Sequence, residues 1–200
     1  SMAAIHAHFG LAITLLAQGH SAHAAEVLEA AFAYAAEAGG LIQMHHVKSF
    51  EAHLSLLGGR KAAAFAWADK NQEIKPGLPM YFLEIPELTW IQVRIAQGAN
   101  ASRAQLTAAL AEVRRYVGAT HNVLRRIDAL ALEALLYAAN HEAAAALAAL
   151  QEALALAEPG AIVRPFVDLG SPMAALLREA ARQQAPGDFA GKVLAAFSGQ

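Results

Sequence analysis

The chain has 200 residues, of which 56% are hydrophobic and 16% charged, and its formal net charge is -2 with nine neutral histidines. This balance excludes the basic footprint with which nucleic-acid-binding segments neutralise phosphates, so we expect no direct nucleic acid contact. The sequence has no cysteine, which excludes disulfides and thiolate chemistry and predicts a reducing, cytoplasmic location. Polar residues interrupt every apolar run before it reaches membrane-spanning length, so no membrane segment is predicted. The helical pattern begins directly after Ser1, which we interpret as a cloning remnant at the start of a piece of a larger protein.

Turn residues recur along the chain at nearly constant spacing. Gly19, Gly58 and Gly98 lie 39 and 40 residues apart, and Asn140 follows 42 residues later. Glycine and asparagine are the residues that most readily end a helix in the left-handed conformation. A period of about 40 residues with two helices per repeat is typical of a helical solenoid. The sequence therefore predicts an all-α, tetratricopeptide-like fold: a right-handed superhelix of about four antiparallel helix pairs with C-terminal capping helices.

In chain order, the predicted helices cover residues 3–17 and 22–38, 41–57 and 60–72, 84–97 and 101–117, and 120–139 and 141–157. Ser21 and Thr120 are predicted N-caps, because a hydroxyl at this position accepts a hydrogen bond from an amide of the first turn. Two prolines and a glycine within 76–79 predict one long irregular connection. Residues 1–158 are predicted to form the repeats, and residues 159–200 the connection and capping helices of the same domain.

The stretch from Glu152 to Leu177 reads EALALAEPGAIVRPFVDLGSPMAALL. It resembles the end of the helical-repeat domain of large MalT-like LuxR-family bacterial transcription regulators, where a helix ending in ALALAEP precedes an aromatic and basic connection, an aspartate, a glycine and a final helix. Turns of the form Ala17-Gln18-Gly19 and Ala96-Gln97-Gly98 extend the resemblance over most of the chain. It implies a non-catalytic regulatory domain that receives a small-molecule inducer or a regulatory protein and acts on flanking switch and DNA-binding domains. This sequence contains no GxxxxGK[ST] phosphate loop, so we expect no ATP binding here.

A concave surface is the predicted binding site, because the first helix of each pair lines the inner side of such a stack. Counting back thirteen, ten, six and three residues from each turn gives its positions: His6, Phe9, Ile13, Leu16, His45, Lys48, Ala52, Ser55, Ile85, Leu88, Gln92, Ile95, Ile127, Leu130, Ala134 and Tyr137. A mostly apolar wall with a few polar groups suits a small molecule or an amphipathic helix. The predicted ligand-binding residues are His6, Phe9, His45, Lys48, Leu88, Gln92 and Tyr137. The alternative interpretation is that these side chains pack inside the stack because the counting is off by one residue.

The sequence gives weaker signals for metal binding and for catalysis. His20 with His23, and His45-His46 with His53, suggest a metal site, but cysteine and carboxylate ligands are lacking nearby and adjacent helix residues point in different directions. We therefore predict no metal site, no cofactor and, since no acid–base pair converges, no catalytic residue. The aromatic residues of 80–82 either line a ligand entrance or cover the core, and Arg164 with Asp168 is predicted to form a stabilising ion pair.

Two functions remain: the effector- or partner-binding domain of a LuxR-type regulator, and a generic tetratricopeptide-like scaffold for protein–protein interaction. An all-helical enzyme fragment is a distant third.

Overall fold

The structure is a computed structural model that describes residues 1–71, 85–98, 102–183 and 188–197. Within these ranges every regular element is a helix and no strand occurs. This confirms the predicted all-α, tetratricopeptide-like helical repeat. The predicted irregular connection at 76–79 and the aromatic residues of 80–82 lie outside the described residues.

Eight helices correspond to the four predicted pairs: α1 (Met2–Ala17) and α2 (Ser21–Glu37), α3 (Leu41–Leu57) and α4 (Lys61–Lys70), α5 (Pro86–Gln97) and α6 (Arg103–Ala119), α7 (Val123–Ala139) and α8 (Ala143–Ala157). A 3-10 turn at Glu158–Gly160 follows, and then α9 (Arg164–Val167), α10 (Gly170–Gln183) and α11 (Asp188–Ala196). None of the described helices combines the length and apolarity needed to cross a membrane.

The chain divides into two compact units, Ser1–Val93 (unit 1) and Arg94–Gln200 (unit 2). In unit 1, residues of α1, α2 and α3 form one core cluster, with Phe9 and Phe50 among its most deeply buried members. In unit 2, residues of α7 and α8 share a core cluster with Phe166, Met173 and Leu177 of the C-terminal helices. The boundary predicted at residue 158 between repeats and capping helices stays a prediction.

The second helices of the pairs bury one stripe each, and the stripe has the same spacing in three of them. Its members are Ala24, Leu28, Ala31 and Ala35 in α2; Leu106, Leu110, Val113 and Val117 in α6; and Ala146, Leu150, Ala153 and Ala157 in α8. Residues at i, i+4, i+7 and i+11 lie on one helix face, so an apolar stripe with this spacing turns that face to the core. Small residues predominate in α2 and α8, which lets neighbouring helices approach closely.

Two predicted caps differ from the structure. Ser21 is the first residue of α2, its N-cap position is His20, and no side-chain cap hydrogen bond forms there. Thr120 ends α6, and its hydroxyl donates to the Tyr116 carbonyl oxygen at 3.1 Å. The N-cap of α7 is Asn122, whose side-chain oxygen accepts from the Arg125 amide at 3.2 Å. Both predictions were wrong because a helix boundary is surrounded by several residues able to cap it, and tertiary packing selects among them.

Two predicted turn residues are also displaced by one position. The left-handed residue between α3 and α4 is Gly59 (φ 78°), whereas Gly58 has φ -79°. Between α7 and α8 it is His141 (φ 61°), whereas Asn140 has φ -98°. Gly19 (φ 81°) and Gly98 (φ 66°) are left-handed as predicted. The register of α3 and α7 relative to α1 is therefore one residue later than the sequence suggested.

Candidate ligand-binding site

The corrected register changes which side chains of α3 correspond to those of α1. When Gly19 is matched with Gly59, the counterparts of the four α1 positions are His46, Ser49, His53 and Leu56 rather than His45, Lys48, Ala52 and Ser55. One ring contact supports this match directly: the rings of His6 and its counterpart His46 lie 5.8 Å apart in a T-shaped arrangement. His6 and His46 thus lie side by side, whereas Phe9 stacks on Phe50, one position beyond its counterpart Ser49.

Six rings connect α1 and α3 in unit 1, and we name them the ring cluster: His6, Phe9, His45, His46, Phe50 and His53. Phe9 and Phe50 stack with centroids 4.0 Å apart. His6 meets the edge of Phe9 at 5.1 Å, and His53 meets Phe50 at 6.2 Å. His45 contacts His46 at 6.2 Å. A pair of aromatic rings such as Phe9 and Phe50 contributes about 0.5–1.5 kcal/mol beyond simple burial.

The ring cluster combines fully buried rings with rings that are partly exposed. Phe9 and Phe50 are 0% and 1% exposed, and His46 is 3% exposed. The Nδ1 atom of His46 lies 3.0 Å from the carbonyl oxygen of Ile42. Since a carbonyl oxygen only accepts, Nδ1 is the donor, which fixes the orientation of the ring. His6, His45 and His53 are half-buried, and the Nε2 atom of His6 is itself shielded from solvent.

The predicted ligand-binding residues of unit 1 differ in how far their side chains are exposed to solvent. Phe9 is fully buried and Leu88 is 7% exposed, so both belong to the core rather than to an open surface. His45 is half-buried and joins the ring cluster, whereas Lys48 is exposed. At 100° per residue, Lys48 lies about 160° around α3 from His46, so it does not share the face that meets His6. Gln92 of α5 is half-buried.

The predicted groove positions in unit 2 are mostly core. Ile127, Leu130 and Ala134 are at most 1% exposed and lie in the cluster that contains Met173 and Leu177 of α10. The alternative interpretation from the sequence, that these residues pack inside the stack, holds for this helix. The C-terminal helices pack on α7, which the spacing of the repeats does not reveal.

Tyr137 is half-buried and is part of a polar network on α6 and α7. Its hydroxyl donates to Glu133 Oε1 at 3.2 Å, and Arg114 Nη1 lies 3.0 and 2.8 Å from the two oxygens of the same carboxylate. The negative charge of Glu133 raises the pKa of the Tyr137 phenol above its ordinary value, and burial and the hydrogen bond act in the same direction. At neutral pH the phenol therefore stays protonated and acts as a donor to Glu133.

The remaining sequence predictions concern metal and ion pairs. Within the described residues, no group of three or more histidine, aspartate or glutamate side chains is arranged to hold a metal ion. Arg164, the first residue of α9, and Asp168, its C-cap, form the predicted ion pair, with Nη2 and Oδ1 2.8 Å apart.

Sequence reasoning missed His46, Ser49 and His53 as members of the inner face. His46 and Ser49 are 3% and 0% exposed, and such deep burial is unusual for polar side chains. The doublet Gly58-Gly59 was the available signal, because either glycine can take the left-handed conformation and the second one does.

The sequence matches the model of a known protein family. The model of the MalT-like TPR region matches residues 1–184. The chain belongs to this family. No significant match is found among curated proteins or among solved structures. MalT-like TPR regions are helical repeats of the kind used for regulation and protein interaction, and such repeats are ordinarily non-catalytic.

Proposed function

We propose that this chain is the effector-binding domain of a LuxR-type transcription regulator and that the ring cluster of unit 1 is the site that receives the effector. Membership in the MalT-like TPR family supports a regulatory role. The observation that carries the choice of site is the contact of His6 with His46 across α1 and α3, next to the stacked Phe9 and Phe50. Binding at a contact between helices gives the effector a direct influence on their relative position, which is how a binding event reaches a switch domain.

The chemistry of the ring cluster suits a small molecule with an apolar or flat body and polar substituents. The stacked Phe9 and Phe50 are core residues that hold α1 against α3, and the half-buried imidazoles of His45 and His53 would meet the effector as hydrogen-bond donors or acceptors, depending on the tautomer. His45 and Lys48, about 60° apart on α3, add a neighbouring basic side chain that would attract a carboxylate or phosphate group. Within unit 1, Gln92 stays a candidate for a further polar contact.

Nuclear magnetic resonance on the 200-residue chain tests this proposal. The probes are two panels of small molecules, neutral sugars and aromatic carboxylic acids, and the signals are the ring protons of the histidines. We expect one panel to shift the signals of the ring cluster, and His53→Ala to weaken binding of that probe by about tenfold or more. His23→Ala is the matched control, because His23 is an exposed histidine of α2 with 66% of its side chain accessible.

The same variants distinguish the observed register of α3 from the register predicted from the sequence. Loss of binding on His53→Ala but not on Lys48→Ala places the effector on the ring cluster. Loss on Lys48→Ala alone places it on the face predicted from the sequence. Shifts that spare all histidines of the ring cluster, for every probe that binds, contradict the proposed site.

A second candidate is a scaffold that binds a protein segment, and one observation favours it. Leu41 and Ile42, at the start of α3, are 90% and 51% exposed, and each lies one turn before a histidine of the ring cluster. Large apolar side chains beside a binding face are typical of protein-interaction surfaces. In this case the double variant Leu41→Ser and Ile42→Ser abolishes capture of the protein partner and leaves small-molecule binding unchanged.

A further inference from the structure

We draw no further inference here: the strongest candidate, the exposed apolar patch of Leu41 and Ile42 on the first turn of α3, carries none because nothing within the described residues shows what covers it.

Discussion

Replacing Gly59 with alanine tests the register on which the binding site depends. Gly59 is left-handed with φ 78°, and a Cβ atom built on it meets nothing within 4 Å. Gly58, directly before it, has φ -79°, and an added Cβ would lie 3.2 Å from the Leu54 carbonyl oxygen. The two glycines thus differ in conformation while sharing one loop, so the pair of variants separates backbone strain from crowding.

The expected magnitudes follow from two opposing effects. An L-residue in the left-handed conformation costs about 1–2 kcal/mol, and removing a glycine stabilises by about 0.4–1 kcal/mol because the unfolded chain has less freedom to lose. For Gly59→Ala the sum is a destabilisation of about 1 kcal/mol. For Gly58→Ala the strain is absent and only a tight contact opposes the gain, so the free energy of unfolding changes by less than about 0.5 kcal/mol.

Urea denaturation monitored by circular dichroism gives both values, and Gly59→Ala should also lower the melting temperature by about 2–4 °C. His141→Gly provides the reverse change, since it removes strain at φ 61° and should stabilise by about 0.5 kcal/mol after the entropic cost of glycine. If Gly58→Ala proves the more destabilising variant, the left-handed residue is Gly58. In that case His45 rather than His46 is the counterpart of His6, and the proposed site loses its basis.

Two further predictions concern the core and the polar network. Leu28→Asp should destabilise the fold by about 4 kcal/mol or more, because Leu28 is 6% exposed in the core cluster of unit 1. The control Glu29→Asp, on the exposed side of α2, should change the melting temperature little. Thermal melts of the two variants that coincide would contradict this prediction. Glu133→Gln should lower the pKa of Tyr137 towards its ordinary value, because it removes the negative charge that disfavours the phenolate. Alkaline absorbance titration measures it, with Tyr137→Phe subtracted to isolate one of the four tyrosines, and an unchanged curve would mean that the Glu133 charge does not act on Tyr137.

Much of the fold was predictable because its signals are local. The period of about 40 residues identified the pairs, and α3 begins and ends where the apolar pattern predicted, at Leu41 and Leu57. Arg164 and Asp168, four residues apart, pair as helix geometry requires.

The candidate site was less predictable because it depends on a single residue of register. A shift of one position rotates a helix face by about 100°, which exchanges His46 for His45 and Ser49 for Lys48. Gly58 and Gly59 are equivalent in sequence, and only the closing hydrogen bonds of α3, such as that from the Arg60 amide to the Ser55 carbonyl oxygen at 2.8 Å, determine which of them turns left-handed. Such backbone hydrogen bonds leave no periodic pattern in the sequence.

Equivalent positions of α3 and α7 carry side chains of different chemistry. Matched on His141, the counterparts of Ser49 and His53 on α7 are Ala131 and Leu135, which are 0% and 7% exposed and share a cluster with Met173 of α10. A small and an apolar residue suit α7 because the C-terminal helices cover it. On α3 the same positions carry a hydroxyl and an imidazole, which cost free energy in a packed interior unless they form hydrogen bonds. This difference in chemistry between equivalent positions, polar on α3 and apolar on α7, favours α3 rather than α7 as the helix that carries the proposed site.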